Sequence, residues 1–488
     1  MSEHALSLST KDIIDIVNWL RDYHSQLDGL EADVSPVLTD DIDRLLQGYN
    51  YQTETMMRNW SSRILEEDLK MHPESGQDGR LYTIAPIDLF KMIAQQFEVV
   101  DVLGLEKSTF TLAMTVQQVL DDYRACVQEV LQNQWKTLEL THISAQINNS
   151  TRMMDGCQQL LEDLEGKLGP EMMDDVELQA LTDGFANVSR HGATAICNII
   201  FQDLEGLVGK LFSSKWLDGD QERVCMSIIA TIKDYASECQ GYLHETYYRK
   251  LLMEALERLV RLYVAQLLKA TSSHNFDMSD GIRSDQAIIE AGFTEAGLPA
   301  RMLQSRVNPL SCIASLCGIA IVTDAGGKHA DMEKFATSVC AWLSDTLGQY
   351  PDMPTDAVFR ILRQRSDLDA KSRNAVLHRC NQTAEAVSAR ATESGGKNSD
   401  FFKEVYKELG VPRKPYVATE SVFSALANLT TTQMMRKSTG HVRQKSSERV
   451  LPDQGEGEEG REEAAAARRK RREEKGSNAV DIMYRLQM

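Results

Sequence analysis

The chain has none of the sequence features that mark membrane-spanning or metal-dependent proteins. Its most apolar stretch, residues 312–322, holds eleven residues, whereas crossing a bilayer takes about 20. Its nine cysteines include no C-x-x-C pair, and its ten histidines form no H-E-x-x-H motif and no zinc-like cluster with cysteine. A phosphate-binding G-x-x-x-x-G-K-S/T loop is also missing. We therefore expect no metal, no cofactor and no catalytic residue, and we expect that the chain is not an enzyme.

The N-terminal sequence, MSEHALSLSTKD, has neither a basic start nor an apolar run, so we expect no signal peptide. The scattered cysteines fall inside helical patterns, where a free thiol packs as a small apolar side chain. Such unpaired thiols are typical of a reducing compartment. We therefore predict a cytoplasmic protein.

Negative charge is distributed unevenly along the chain. The formal net charge is −19, yet residues 436–488 hold 13 basic and 10 acidic residues, a net of +3. Residues 1–435 therefore carry a net charge of −22. A protein segment with this much negative charge is repelled by nucleic-acid phosphates and by anionic lipids. We expect no nucleic-acid partner, and membrane contact that is peripheral at most.

The placement of proline predicts the fold class. None of the eleven prolines lies between Pro86 and Pro170 or between Pro170 and Pro299, and proline is the residue that breaks helix interiors. Apolar residues there recur every three to four positions, which is typical of helices that bury one face. We predict helices over residues 12–23, 40–69, 112–140, 141–168, 176–212, 221–242, 245–268, 303–325, 331–347, 355–365, 369–392, 399–409 and 421–435. Residues 272–285 are polar and aperiodic, so we interpret them as a linker.

Residues 79–100, GRLYTIAPIDLFKMIAQQFEVV, combine a turn, an extended strap and a helix start. The strap, residues 81–84, is too short for us to expect a paired strand. Pro86 suits the first helical turn, where its missing N–H costs nothing, and Asp88 complements the helix dipole there. The apolar face of this helix is predicted to contain Leu89, Phe90, Ile93, Phe97, Val100 and Leu103.

Two earlier helices also carry specific predictions. Ser9 and Asp12 match a capping box, in which the side chain of each residue satisfies the backbone amide of the other. For the helix over residues 40–69, the predicted apolar line runs through Leu45, Leu46, Tyr49, Met56, Trp60 and Ile64.

The basic run Arg468, Arg469, Lys470, Arg471 and Arg472 is the sharpest local charge feature. One interpretation is a contact with anionic lipid or with a partner, because each basic residue near such a membrane adds about 1 kcal/mol. A second is a nuclear-import or nucleic-acid patch. The third is a solvated segment whose field is cancelled by the acidic pairs at 462–463 and 473–474.

Asn148 and Asn149 each begin an N-x-S/T sequence, the acceptor motif for N-glycosylation. In a cytoplasmic chain these acceptor motifs have no meaning, so we expect no glycosylation of either asparagine.

Several segments resemble one known family in the same order along the chain. Residues 66–100 are similar to the exocyst complex component 3 family, also called the Sec-six family. Further resemblances are carried by Trp19-x-x-x-Tyr23, Leu45-Leu46-x-x-Tyr49 with Met57-x-x-Trp60, Phe212-Ser-Ser-Lys-Trp216 with Ile232-Lys-Asp-Tyr235, and Tyr350-Pro351-Asp352 with Ile361-Leu362-Arg363 and Asp367-Leu368. Together they cover about residues 10–430 and place residue 1 near the middle of the family's length.

The resemblance implies a subunit of the exocyst, which tethers secretory vesicles to the plasma membrane before SNARE-mediated fusion. Its implied partners are other exocyst subunits, SNARE proteins and their regulators, and small GTPases, at plasma-membrane sites of secretion. The implied fold is all-α, an elongated rod of stacked helical bundles. We also expect the chain to lack the coiled-coil region with which the family begins and pairs with another subunit.

We predict helical bundles over residues 1–140, 141–275 and 276–435, followed by a disordered charged tail over 436–488. Two alternatives stay open on the residues alone. One is an exocyst-like membrane-remodelling protein that acts outside the complex. The other is a helical regulator or effector of small GTPases.

Overall fold

The computed structural model describes residues 8–28, 39–213, 216, 221–271, 278–322, 331–394 and 399–411. Helices make up most of these residues, and the described part contains one two-stranded sheet. The predicted all-α fold class is confirmed. The predicted helix over residues 421–435 and the tail that we expected to be disordered lie outside the described residues.

The elements follow one another as α1 (Thr10–Asp28), α2 (Thr39–Asp68), β1 (Glu74–Ser75), β2 (Leu81–Tyr82), α3 (Ala85–Leu103), α4 (Glu106–Asn133), α5 (Leu140–Glu165), α6 (Pro170–Met173), α7 (Leu178–Val208), α8 (Gln221–Tyr242), α9 (Glu245–Lys269), α10 (Met278–Glu295), α11 (Ala300–Cys317), α12 (Met332–Gln349), α13 (Thr355–Leu362), α14 (Ala370–Ser394) and α15 (Phe401–Leu409). A short 3-10 turn, Trp135–Thr137, separates α4 from α5. Most of the predicted helices are therefore present, with ends that differ by up to two turns.

The predicted helix starts are confirmed at α1 and α3. The Asp12 amide donates to Ser9 Oγ at 3.2 Å, and the Ser9 amide donates to the Asp12 carboxylate at 3.2 Å. This reciprocal pair is a capping box. Pro86 lies in the first turn of α3, and Gly104 ends that helix in the left-handed conformation with a φ of 60°.

The expectation that residues 81–84 have no strand partner is wrong. Leu81 and Tyr82 pair antiparallel with Ser75 and Glu74. In the connecting turn, the Gly76 amide donates to the Arg80 carbonyl at 2.7 Å. Two-residue strands are too short to show an alternating pattern, so periodicity does not indicate them.

The buried face of α2 also differs from the predicted one. The side chains that face the core are Tyr49, Thr53, Met57, Ser61 and Leu65. Trp60 lies off this line and is 38% exposed. The prediction followed the large apolar side chains, whereas the buried line includes two small hydroxyl residues, Thr53 and Ser61.

The described residues form two compact units. The first comprises Met1–Ile199 and Ser237–Leu251, and the second Ile200–Ala236 and the chain from Leu252 onward, as far as these ranges are described. In the first unit α2, α3 and α4 pack on one another, and α5 contacts α3, α4 and β2. In the second unit α10 packs on α11, and α12 packs on α14. The three-bundle division into residues 1–140, 141–275 and 276–435 stays a prediction.

A buried carboxylate organises part of the second unit. Asp285 is fully buried, and its Oδ2 accepts hydrogen bonds from Trp216 Nε1 at 2.8 Å and from the Tyr263 hydroxyl at 2.7 Å. Two charge-assisted bonds offset part of the cost of burying the carboxylate. The interpretation of residues 272–285 as a linker is therefore wrong for residues 278–285, which begin α10 and contribute this anchor.

The aromatic rings around Asp285 are tightly packed. The Phe212 ring centroid lies 4.5 Å from that of Trp216 and 5.0 Å from that of Tyr263. Phe212 also has a φ of 57°, which a bulky side chain rarely adopts. The packing of its ring against both partners offsets this backbone strain.

Replacing Asp285 should destabilise the second unit. The Asp285→Leu variant leaves the Trp216 N–H and the Tyr263 O–H buried without this acceptor, so we expect a loss on the order of 3 kcal/mol in the free energy of unfolding. The Asp285→Asn variant keeps an acceptor oxygen and should lose less. Urea unfolding measures both changes.

A matched control for this test is Asp280→Leu, because Asp280 is an exposed residue of the same helix. Its effect should stay within about 0.5 kcal/mol. Equal stability of the Asp285→Leu and Asp280→Leu variants would contradict the anchoring role of Asp285.

Candidate functional site

The candidate site joins two pieces of the first unit. One, which we call the strap, is residues 71–83 and contains both strands. The other is the N-terminal part of α5, residues 142–150, in which every residue is buried. Its buried polar residues are His142, Ser144, Gln146, Asn148, Asn149 and Ser150. Buried polar groups are costly unless they are hydrogen-bonded, so their partners define what this helix does.

Asn149 fixes the point at which the strap leads into α3. Its Nδ2 donates to Thr83 Oγ1 at 2.7 Å, and its Oδ1 accepts from the Thr83 amide at 3.2 Å. Asn149 is 2% exposed and Thr83 is 8% exposed. This two-way pair holds the residue that stands two positions before the first residue of α3.

Asn148 binds three separate backbone groups. Its Nδ2 donates to the Leu81 carbonyl and to the Tyr242 carbonyl, each at 2.8 Å. Its Oδ1 accepts from the His244 amide at 3.0 Å. A single side chain thereby joins the strap to the junction between α8 and α9.

The N-x-S/T pattern gave no indication of the structural role that Asn148 and Asn149 have. Both side chains are almost fully buried and engaged in hydrogen bonds, which leaves neither nitrogen accessible to a glycan. The sequence does carry a signal of their role, since a helix interior that is polar on several successive positions must find internal partners.

Two further residues of α5 hold the strap's other end and the end of α2. His142 donates from Nε2 to the Met71 carbonyl at 2.9 Å, and Gln146 donates to the Asp68 carboxylate. Asp68 is 4% exposed, and burial raises the pKa of its carboxyl, an effect that the hydrogen bond from Gln146 opposes only in part. The α5 side chains thus hold the strap at both of its ends.

The outer side of the strap is held by Tyr82. Its hydroxyl donates to the Asp78 carboxylate at 2.7 Å, and the Arg152 guanidinium lies 3.6 Å from its ring centroid. Burial, together with the acceptor Asp78, raises the pKa of Tyr82 to about 12. The cation–π contact links the strap to the next turn of α5.

A cleft of about 240 Å³, which we call the strap cleft, opens beside these contacts. Met71, Ile84 and Ile87 line it, and each is more than half exposed to solvent. Its acidic lining consists of Glu67, Asp68, Glu74 and Asp88. Clustered exposed apolar side chains with a charged rim are typical of a protein-binding surface.

Reactive chemistry has little support in the described residues. No group of carboxylate, histidine and cysteine side chains there is arranged to hold a metal ion. Burial raises the pKa of the Cys157 and Cys239 thiols to about 12, which disfavours the nucleophilic thiolate. In the same part of the chain, no helix is long and apolar enough to span a bilayer.

The sequence-predicted contact residues Arg468, Arg469, Lys470, Arg471 and Arg472 lie outside the described residues. Their contact with anionic lipid or with a partner stays a prediction.

Two solved structures share the fold of this chain. The C-terminal domain of the exocyst subunit Sec6p matches with a TM-score of 0.65 at 15% identity, covering 75% of this chain and 96% of that chain. M-Sec matches with a TM-score of 0.53 at 18% identity, and the match covers 77% of this chain and 64% of the M-Sec chain. At such identities the likeness concerns the fold alone, which is that of an all-α helical-bundle protein.

Sequence comparison identifies the family. The model of the family "Exocyst complex component Sec6" matches residues 1–370, so the chain belongs to that family and the resemblance noted in the sequence is confirmed. Exocyst complex component 3 of Drosophila melanogaster is 26% identical over 337 residues, which is 66% of this chain and 42% of that relative. The chain thus spans less than half of that relative's length.

Removing the Asn148 side chain should loosen the strap. The Asn148→Ala variant leaves three backbone groups without this partner, so we expect a loss of about 2–4 kcal/mol in the free energy of unfolding. Amide hydrogen exchange should accelerate at His244 in particular. The exposed residue Gln158 on the same helix provides the control variant Gln158→Ala. Unchanged exchange at His244 in Asn148→Ala would count against the clamp.

Neutralising Asp68 should stabilise the protein in a pH-dependent way. Burial raises the pKa of Asp68 in the folded state. As the pH rises above about 4, the Asp68 carboxyl therefore ionises in the unfolded chain before it ionises in the folded one. The free energy of unfolding falls over this range and levels off once the pH exceeds the pKa of Asp68 in the folded state. The Asp68→Asn variant does not show this fall in stability, because its side chain does not ionise. Its advantage in denaturant unfolding should therefore be larger at about pH 7.5 than at about pH 4. A larger advantage at the lower pH would reverse the predicted sign.

Proposed function

We propose that this chain is a non-catalytic subunit of the exocyst that tethers secretory vesicles to the plasma membrane before SNARE-mediated fusion. The observation that carries the proposal is the family match across residues 1–370. The shared fold with the C-terminal domain of Sec6p supports it. The proposed mechanism is binding alone.

A tether must keep its binding surfaces at fixed positions, and the hydrogen-bonded frame of the first unit suits that task. Asn148 and Asn149 hold the strap on α5 by directional bonds, so the strap cleft keeps its shape when a partner docks. A surface that is already ordered loses less conformational entropy on binding. This supports a scaffold role in which the chain contributes surfaces.

The proposed partners are the other exocyst subunits, together with SNARE proteins and their regulators and small GTPases. The proposed location is cytoplasmic and peripheral at plasma-membrane sites of secretion. Within this proposal, the basic residues 468–472 contact anionic lipid, where the acidic residues 1–435 are repelled.

Affinity purification of the full-length native protein tests the proposal. We expect other exocyst subunits to co-purify in stable amounts and to be identified by mass spectrometry. A tagged cytoplasmic helical protein expressed at the same level serves as the control for unspecific recovery. Recovery of the protein without any exocyst subunit would reject the proposal and favour action outside the complex.

A further inference from the structure

Helices α3 and α5 lie side by side and run in the same direction. Near the start of α3, Thr83 bonds Asn149, and near its end Asp101 accepts a hydrogen bond from Lys167 at 2.7 Å. Both pairs are 66 positions apart in the chain. The two helices therefore keep one register over their shared length, and we call the surface between them the α3–α5 seam.

Two clefts open along this seam. The strap cleft lies at its start, and a second cleft of about 350 Å³ is lined farther along by Phe90, Ala94, Glu98, Gly156, Gln159 and Asp163. The α3 positions that line the two clefts recur every three to four residues, which keeps them on one face. The strap cleft is otherwise lined by the end of α2, the strap and Arg152 of α5, and the second cleft by α5 from Gly156 onward. From Ile87 to Asp101 the seam is about 20 Å long at 1.5 Å per residue.

The floor of the seam is apolar and partly open. At its start Ile84 and Ile87 are 55% and 54% exposed. Farther along, the Phe90 ring lies against the backbone at Gly156, where any larger residue would collide with it. Phe90 was predicted as a core residue of α3, yet it lies only partly buried in this groove, beside the small and exposed Ala94.

The rim of the seam is negatively charged. The described residues that line the two clefts include seven acidic and two basic side chains, and six of the acidic ones lie at the rim because Asp68 is buried. Of the two basic residues, Arg152 lies over the Tyr82 ring and Lys167 is paired with Asp101. Opposite charge on a partner would be attracted to this rim, and like charge would be repelled.

We propose that the α3–α5 seam binds a basic amphipathic helix of a partner protein. Its apolar stripe occupies the two clefts, and its lysine or arginine residues face acidic residues such as Glu67, Glu98 and Asp163. A helix fits because the α3 residues that line both clefts follow helical spacing over about 20 Å, which corresponds to about four turns. The inference rests on the proposed function only in that a scaffold needs such a partner.

The charge of the seam also decides between occupants. An anionic membrane would be repelled by the acidic rim, whereas a basic protein segment is attracted to it. We therefore assign the seam to a protein helix, and self-association of this chain becomes an outcome of the test.

The test uses the full chain and a labelled synthetic helix of about 18 residues, with leucines at i, i+4, i+7 and i+11 and lysines flanking them. A peptide of the same composition with its leucines dispersed around the helix is the control probe. Fluorescence anisotropy at about 0.15 M salt measures binding. We expect the amphipathic peptide to bind at least about tenfold more tightly than the control peptide.

Two variants and two matched controls locate the binding site. Ile87→Asp in the strap cleft and Asp163→Lys in the second cleft should each weaken binding about tenfold. Val102→Asp and Glu162→Lys change exposed residues of the same two helices that line neither cleft, and they should alter binding by less than about twofold. Thermal unfolding confirms that all four variants fold.

Three results would overturn the inference. They are equal binding of the two peptides, equal weakening by the seam and control variants, and a change in the protein's own sedimentation mass that only the seam variants cause. The last result would assign the seam to a second copy of the chain. If the unmodified chain fails to bind the amphipathic peptide but still recovers exocyst subunits, the seam proposal alone is rejected. If it binds the peptide at the seam but recovers no exocyst subunit, the tethering role alone is rejected.

Discussion

The Asn148 side chain makes the contact on which the arrangement of the first unit depends. It holds the Leu81 carbonyl of the strap, the Tyr242 carbonyl at the end of α8 and the His244 amide before α9. Strand ends and helix ends leave backbone groups unsatisfied, and burial makes each of them costly without a partner. One amide side chain can satisfy all three because it offers two donors and an acceptor. The chain segments around α5 therefore meet in one geometry.

Directional bonds matter here because apolar packing alone would tolerate other arrangements. Burial of apolar surface is non-directional, whereas a hydrogen bond weakens steeply with misalignment. Asn149 fixes Thr83 two positions before α3 begins, so the register of α3 on α5 is set at the start and continues to Asp101 and Lys167. The shape of the groove between these helices therefore depends on that register. A fixed groove is what a protein that acts by binding requires.

Asp285 shows the same principle in the second unit. It lies in a stretch that the sequence presents as polar and aperiodic, yet its carboxylate is buried between Trp216 and Tyr263. Polar residues are usually exposed, so a polar stretch predicts a linker unless its partners are known. Trp216 belongs to one of the sequence motifs that resemble the family. That its N–H donates to Asp285 is evident only from the fold. Each unit thus contains a polar residue whose importance comes from a distant partner.

The sequence by itself determined the all-α class, the capping box at Ser9 and Asp12, the start of α3 at Pro86 and the family, because these depend on local propensity and on the order of motifs. Only the tertiary structure decided that Trp60 is exposed, that residues 81–82 pair with residues 74–75, and that Asn148 and Asp285 are anchors. The physical reason is that helix periodicity is a property of neighbouring residues, whereas the partner of a buried polar group, and the face that stays open for binding, are set by segments far apart in the chain.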